Sequence, residues 1–221
     1  MAPFRTLFLV VLVASFLPTF LQSQPAGPDM AVVERWLGTN SGVGSVKIDF
    51  TQIRRMRSLN REVSQDGTLW LDYTNHRFRW QTGDPAQTIV VSLGKDILII
   101  RTPGKKFEVR PSGSGGSQGM AAMANGFPRT MAEFQEKYRV LEIKQHDNTH
   151  RIVARPLGQG AVGVNTFTFV VDASHYRLLG MEIDLEDGSS LQTVFRRVEP
   201  NAPVDLALFQ PPVDGYTETK F

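Results

Sequence analysis

The sequence predicts a mainly β fold with helices, an α+β domain in which a large curved antiparallel sheet, or open barrel, is closed by short helices. Three observations carry this expectation. Short runs in which apolar and polar residues alternate recur along most of the chain, with the period of a half-buried strand. Tight-turn sequences such as Leu93-Gly94-Lys95-Asp96 and Asp187-Gly188 separate these runs at hairpin spacing. Helical spacing occurs only near the start and in a middle insert, so about ten or eleven antiparallel strands are expected.

The N-terminal segment reads as an export leader rather than as part of the fold. One basic residue, Arg5, precedes the apolar run from Leu7 to Leu17, and Pro18 and the polar Gln22-Ser23-Gln24 follow. A membrane anchor would need roughly 20 apolar residues without a proline inside the span. Residues 1–23 are therefore expected to be a signal peptide, with Ser23 or Ala26 as the candidate last residue, and 24–221 a single domain. The 221 residues contain no cysteine, so the domain has neither disulfides nor a cysteine to carry lipid. A protein free in the periplasm is the expected outcome. Its 24 basic and 22 acidic residues nearly cancel, and no nucleic-acid partner is implied.

Along the mature chain, Met30, Val33 and Leu37, with Val32 and Trp36 beside them, fit a short amphipathic helix that Asp29 can cap. Val46, Ile48 and Phe50 then alternate with Lys47, Asp49 and Thr51 as a strand, and Arg54, Arg55 and Arg57 continue it outward as a solvated end or a docking patch for an acidic partner. From Gly67 the pattern repeats through Leu69 and Leu71. Phe78 and Trp80 then share one face opposite Arg77 and Arg79, and Ile89, Val91 and Leu93 oppose Thr88, Val90 and Ser92. Ile97 to Ile100, and Phe107 with Val109, complete the first half.

Residues 112–134 break this rhythm. A Gly/Ser-rich loop from Ser112 to Gly119 leads into one or two short helices, with Gly126 as a stop and Pro128 near a new start. Met120 and Met123 in this insert are adaptable side chains of the kind that accommodates ligands of variable shape, and they equally suit ordinary core. Strands resume at Val140 to Lys144, Arg151 to Arg155, Thr166 to Val171, Leu178 to Leu185 and Ser190 to Arg197.

Catalytic patterns are sparse. The four histidines, His76, His146, His150 and His175, all fall at predicted turns, and no zinc-protease, serine-hydrolase or phosphate-loop motif is present. His146, Asp147 and His150 are explained better by a polar hairpin turn than by a metal site. A non-enzymatic binder without cofactor or metal is expected.

Taken in order, the leader, the short helix, Phe50-Thr51-Gln52, Gly67-Thr68-Leu69-Trp70-Leu71, Arg77-Phe78-Arg79-Trp80 and Gln87 to Lys95 resemble the outer-membrane lipoprotein carrier protein family. The tail, Asp205 to Phe209 followed by Pro211-Pro212-Val213, extends the resemblance over essentially the whole mature chain. It implies an incomplete antiparallel barrel covered by lid helices, whose cavity takes the acyl chains of lipoproteins from inner to outer membrane. It also implies a monomer that makes transient contacts with an inner-membrane ABC-type lipoprotein-releasing complex and an outer-membrane acceptor. The cavity wall is then expected from Ile48, Phe50, Leu69, Leu71, Phe78, Trp80, Ile89, Val91, Phe167, Phe169, Met181 and Ile183, with Met120, Met123 and Phe127 on the lid. The family's arginine that holds the lid shut has no counterpart in Asp72 to His76, where Tyr73 lies nearest and is the expected lid contact through its hydroxyl. The alternative is a periplasmic lipid- or lipoprotein-binding sensor or regulatory module of the same fold.

Overall fold

The computed structural model describes residues 27–59, 61–111, 127–158 and 163–220. The expected leader, the Gly/Ser-rich loop, Met120 and Met123 lie outside the described residues.

A 12-stranded sheet dominates, in the order β12-β6-β5-β4-β3-β2-β1-β11-β10-β9-β8-β7. The chain enters at the middle through β1 (Ser45–Met56) and winds outward through β2 (Arg61–Asp72), β3 (Arg77–Thr82), β4 (Thr88–Leu93), β5 (Asp96–Arg101) and β6 (Lys106–Pro111). It then crosses to the far edge at β7 (Tyr138–His146) and returns through β8 (Thr149–Pro156), β9 (Val164–Asp172), β10 (Leu178–Leu185) and β11 (Ser190–Pro200), which pairs with β1. Within these eleven strands every pairing is antiparallel. The twelfth, β12 (Thr217–Glu218), is a two-residue parallel addition to β6. Among the described residues the edge strands β7 and β12 do not meet, so the sheet is open, an incomplete barrel.

Alternation decides which face each strand buries. On β1, Val46, Ile48 and Phe50 are buried while Lys47, Asp49 and Thr51 are only partly covered. The inner face carries one large apolar cluster that takes in Leu69, Leu71, Phe78, Trp80, Val90, Ile99, Phe167, Phe169, Met181 and Ile183. Among the described residues two α-helices close it. Helix α1 (Ala31–Gly38) buries Val32, Val33, Trp36 and Leu37, the stripe that its sequence spacing predicts, and Asp29 Oδ1 accepts from the Ala31 N–H at 3.1 Å. Helix α2 (Met131–Lys137) buries Phe134, whose ring meets that of Trp36 edge-on at 5.9 Å. Thr130 caps α2 by accepting from the Glu133 N–H, and the Glu133 carboxylate accepts from the Arg129 N–H at 2.9 Å, so the first turn is held from both sides.

The outer face carries a smaller cluster of Val91, Leu98 and Ile100, covered by Ile89, Phe107, Val213 and Tyr216. The C-terminal segment lies across it. Arg79 holds that segment by donating from Nη1 to the Leu208 carbonyl at 2.9 Å, with its guanidinium over Trp70. Asp205 caps the 3-10 turn from Leu206 to Phe209 by accepting from the Ala207 N–H.

Candidate ligand-binding clefts

The packed inner face leaves space at one end of the sheet, where the α1–β1 loop, the β2–β3 turn and the β4–β5 turn come together with the segment that leads into α2. Two clefts open there. One, of about 560 Å³, has Leu71, Phe78 and Phe127 as its apolar lining beside the charged Arg77, Lys95 and Glu133. The other, of about 570 Å³, is lined by Val43, Val46, Ile48, Leu178, Phe195 and Val198 among others. Tyr73 and Phe127 line both clefts and so form their shared wall.

That wall is built from two sides. Tyr73 follows β2 and is fixed by its backbone N–H, which donates to the Gly44 carbonyl at 2.9 Å. Phe127 comes from the segment before α2, and its ring meets Phe195 of β11 edge-on at 6.1 Å. Arg129 ties the two sides together. Its guanidinium lies 4.6 Å from the Tyr73 ring centroid, and Nη2 donates to the Val43 carbonyl at 3.0 Å. Burial pushes the Tyr73 hydroxyl up to about 12, with the Arg129 charge opposing that rise and Glu133 adding to it. Tyr73 is therefore neutral at physiological pH and presents an uncharged face to both clefts.

The expected wall residues divide into three groups. Ile48, Leu71 and Phe78 lie in the inner cluster and also line a cleft. Phe50, Leu69, Trp80, Phe167, Phe169, Met181 and Ile183 share that inner face but are packed as core, with the Phe50 and Trp80 rings 4.0 Å apart and Phe169 against Trp36 at 4.9 Å. The assignment of Ile89 and Val91 to the inner wall is corrected. The register pairs Gln81 with Ile89, Trp80 with Val90 and Arg79 with Val91, so Val90 points inward and its two neighbours face the C-terminal segment. Among the described residues Tyr73 meets the segment before α2 through its ring, which lies under the Arg129 guanidinium.

Sequence reasoning leaves Arg129 and Phe195 out of the site. Phe195 stands within a predicted strand and shares the β11 face that alternation would have assigned. Arg129 carries no local signal, since its carbonyl partner, Val43, is 86 residues away. His146 and Asp147 pair at an exposed turn, and His150 stacks on Tyr176 at 5.8 Å. Among the described residues no group of three or more His, Cys, Asp or Glu is arranged to hold a metal ion.

An open antiparallel sheet closed by two helices, with its clefts at the helix-covered mouth, matches the architecture that the sequence resemblance implies. The family model for outer membrane lipoprotein carrier protein LolA matches residues 41–212. The chain belongs to that family. No curated protein matches the chain. Its fold is similar to that of an uncharacterized conserved protein from Thermus thermophilus, at 12% identity and a TM-score of 0.51, over 86% of this chain and 97% of that one. A LolA superfamily protein from Nitrosomonas europaea aligns at 12% identity and a TM-score of 0.46, over 83% and 98%. A chain of the Pseudomonas aeruginosa MucA/MucB complex aligns at 16% identity and a TM-score of 0.40, over 82% of this chain and 60% of that one.

Proposed function

We propose that this LolA-family protein is a non-enzymatic periplasmic carrier that takes the acyl chains of lipoproteins into the two clefts and shuttles them from the inner to the outer membrane. The observation that supports this most is the shared wall of Tyr73 and Phe127. Two clefts of similar size, each with apolar lining, are separated by a partition that joins the sheet to the segment before α2. Displacing Phe127 with that segment would merge them into one space, with Leu71 and Phe78 on one side and Val46, Ile48 and Phe195 on the other. An acyl chain loses roughly 0.8 kcal/mol per methylene exposed to water, so a carrier must hide the chain while it crosses. Release at the second membrane requires a cover that opens.

Arg129 supplies the closure. The family resemblance implies an arginine on the sheet that bonds the lid, whereas here an arginine on the lid side bonds the body at Val43 and stacks on Tyr73. The fastening is the same in kind and reversed in direction. Family membership supports an inner-membrane ABC-type releasing complex as the donor and an outer-membrane lipoprotein acceptor as the recipient.

The test is release of an acylated lipoprotein from inner-membrane vesicles into a soluble complex. Wild-type protein should release it, and Phe127→Glu, which places a charge in both clefts, should fail while retaining its fold by circular dichroism. Release by a folded Phe127→Glu variant would exclude the clefts as the acyl site. Binding of lipoprotein without transfer to outer-membrane vesicles would favour the sensor module.

A further inference from the structure

We infer that the cleft between the β2–β3 and β4–β5 turns selects amphiphiles with an anionic head, the acyl chain lying on Leu71, Phe78 and Phe127 and the head's carboxylate or phosphate held by Arg77 and Lys95. The inference rests on the acyl-binding reading and adds the chemistry of the head group. Sheet order makes the site. Strands β3 and β4 are neighbours, and the pairings of Asp72 with Arg77 and of Leu93 with Asp96 bring the two turns to the same end of the sheet, where both line one cleft.

The charges in this cleft are unbalanced. Arg77, Lys95, Arg129 and Lys137 face Asp72 and Glu133, and both carboxylates are already committed. Asp72 accepts from the backbone and side-chain N–H groups of Asn75 at 3.1 and 2.8 Å, and Glu133 accepts from the Arg129 backbone. Arg129 itself is spent on the Val43 carbonyl and the Tyr73 ring, and Lys137 has an interaction of its own. Arg77 and Lys95 are left: among the described residues neither makes an ion pair or a side-chain hydrogen bond. Arg77 is half-buried; Asp72 stands opposite it in the ladder, but among the described residues no carboxylate is in ion-pair contact with it, so its guanidinium donors are open to an incoming carboxylate or phosphate. Its planar donor fork suits either oxyanion. Phe78 is 4% exposed and Arg77 is the first residue of β3; neighbours along a strand point to opposite faces, but both line this cleft, so head and chain sites meet at the end of the strand.

The experiment uses the mature protein and cis-parinaric acid, a fluorescent fatty acid, against its uncharged methyl ester. Wild type should bind the acid about tenfold more tightly than the ester, the scale of one charge-assisted hydrogen bond. Arg77→Gln combined with Lys95→Gln should abolish that preference, whereas Arg77→Lys should retain part of it. Equal affinity for acid and ester in the wild type, or a preference that survives in the double variant, would overturn the assignment. Inorganic phosphate should not displace the acid at matched concentration; displacement would mean a free-anion site independent of the chain and would also overturn it. If the ester binds and shows no preference, only the head-group inference falls. If neither probe binds, the acyl-binding reading falls with it.

Discussion

The guanidinium of Arg129 lies 4.6 Å from the centroid of the Tyr73 ring, joining the segment before α2 to the turn after β2. Together with the bond to the Val43 carbonyl, this contact spans the wall between the two clefts. Arg129→Ala removes both, a loss of about 1–3 kcal/mol from that closure. Bound acyl probe should then dissociate faster in a stopped-flow chase, with little change in far-ultraviolet circular dichroism. An unchanged off-rate would mean that Arg129 does not hold the cover.

Gly67 and Phe50 make a second close pair. A Cβ at position 67 would overlap both the Phe50 ring and the Gln81 carbonyl oxygen. Backbone of β3 stands on one side and a ring stacked on Trp80 on the other, so neither can yield cheaply. Gly67→Ala should destabilise the protein by about 1–3 kcal/mol, as overpacking does, measured as a lower denaturation midpoint in urea.

Glu108 gives a pH prediction. It is 4% exposed, with Arg101 and Arg110 each at 2.8 Å. Burial pushes its carboxyl up, but the hydrogen bonds and charges of Arg110 and Arg101 outweigh that and hold it below the usual range. A depressed folded-state pKa makes its contribution complete above the unfolded value of about 4.3 and lost as pH falls through the folded value. Glu108→Gln should therefore lower Tm at neutral pH, and the gap to wild type should narrow as the pH drops below about 4. A gap independent of pH would contradict the assignment.

Trp80 and Phe127 should fail in different ways. Trp80 is 2% exposed within the packed inner face, so Trp80→Ala should cost about 3–5 kcal/mol of stability as a core truncation. Phe127 is only partly buried at the cleft wall, so Phe127→Ala should reduce acyl binding with a smaller loss of stability. Paired denaturation and binding measurements on the two variants separate these roles.

Much of the fold was legible because an antiparallel strand with one buried face writes its geometry into the sequence. Val46, Ile48 and Phe50 on β1, and Met181, Ile183 and Leu185 on β10, show the alternation and are buried as expected. Strand β4 could not be read that way, since Ile89, Val90 and Val91 are all apolar and both faces are covered, one by the core and the other by the C-terminal segment. Strand β12 has two exposed polar residues and no pattern to read. The inner residues were identifiable as apolar, but whether a side chain packs as core or lines a cleft depends on α1 and α2. Trp36 and Phe134 fill the space over Phe169, whereas Phe78, Leu71, Val46 and Ile48 reach the open end.

The central claim is that acyl chains occupy the clefts that meet at Tyr73 and Phe127. The most direct measurement is photo-cross-linking of the mature protein with a lipoprotein whose acyl chain carries a diazirine, followed by peptide mapping. Labels on Tyr73, Phe127, Val46 or Phe78 are the predicted result. Labels confined to the outer face around Ile89 and Val91, or a chain that leaves no specific label, would contradict the account.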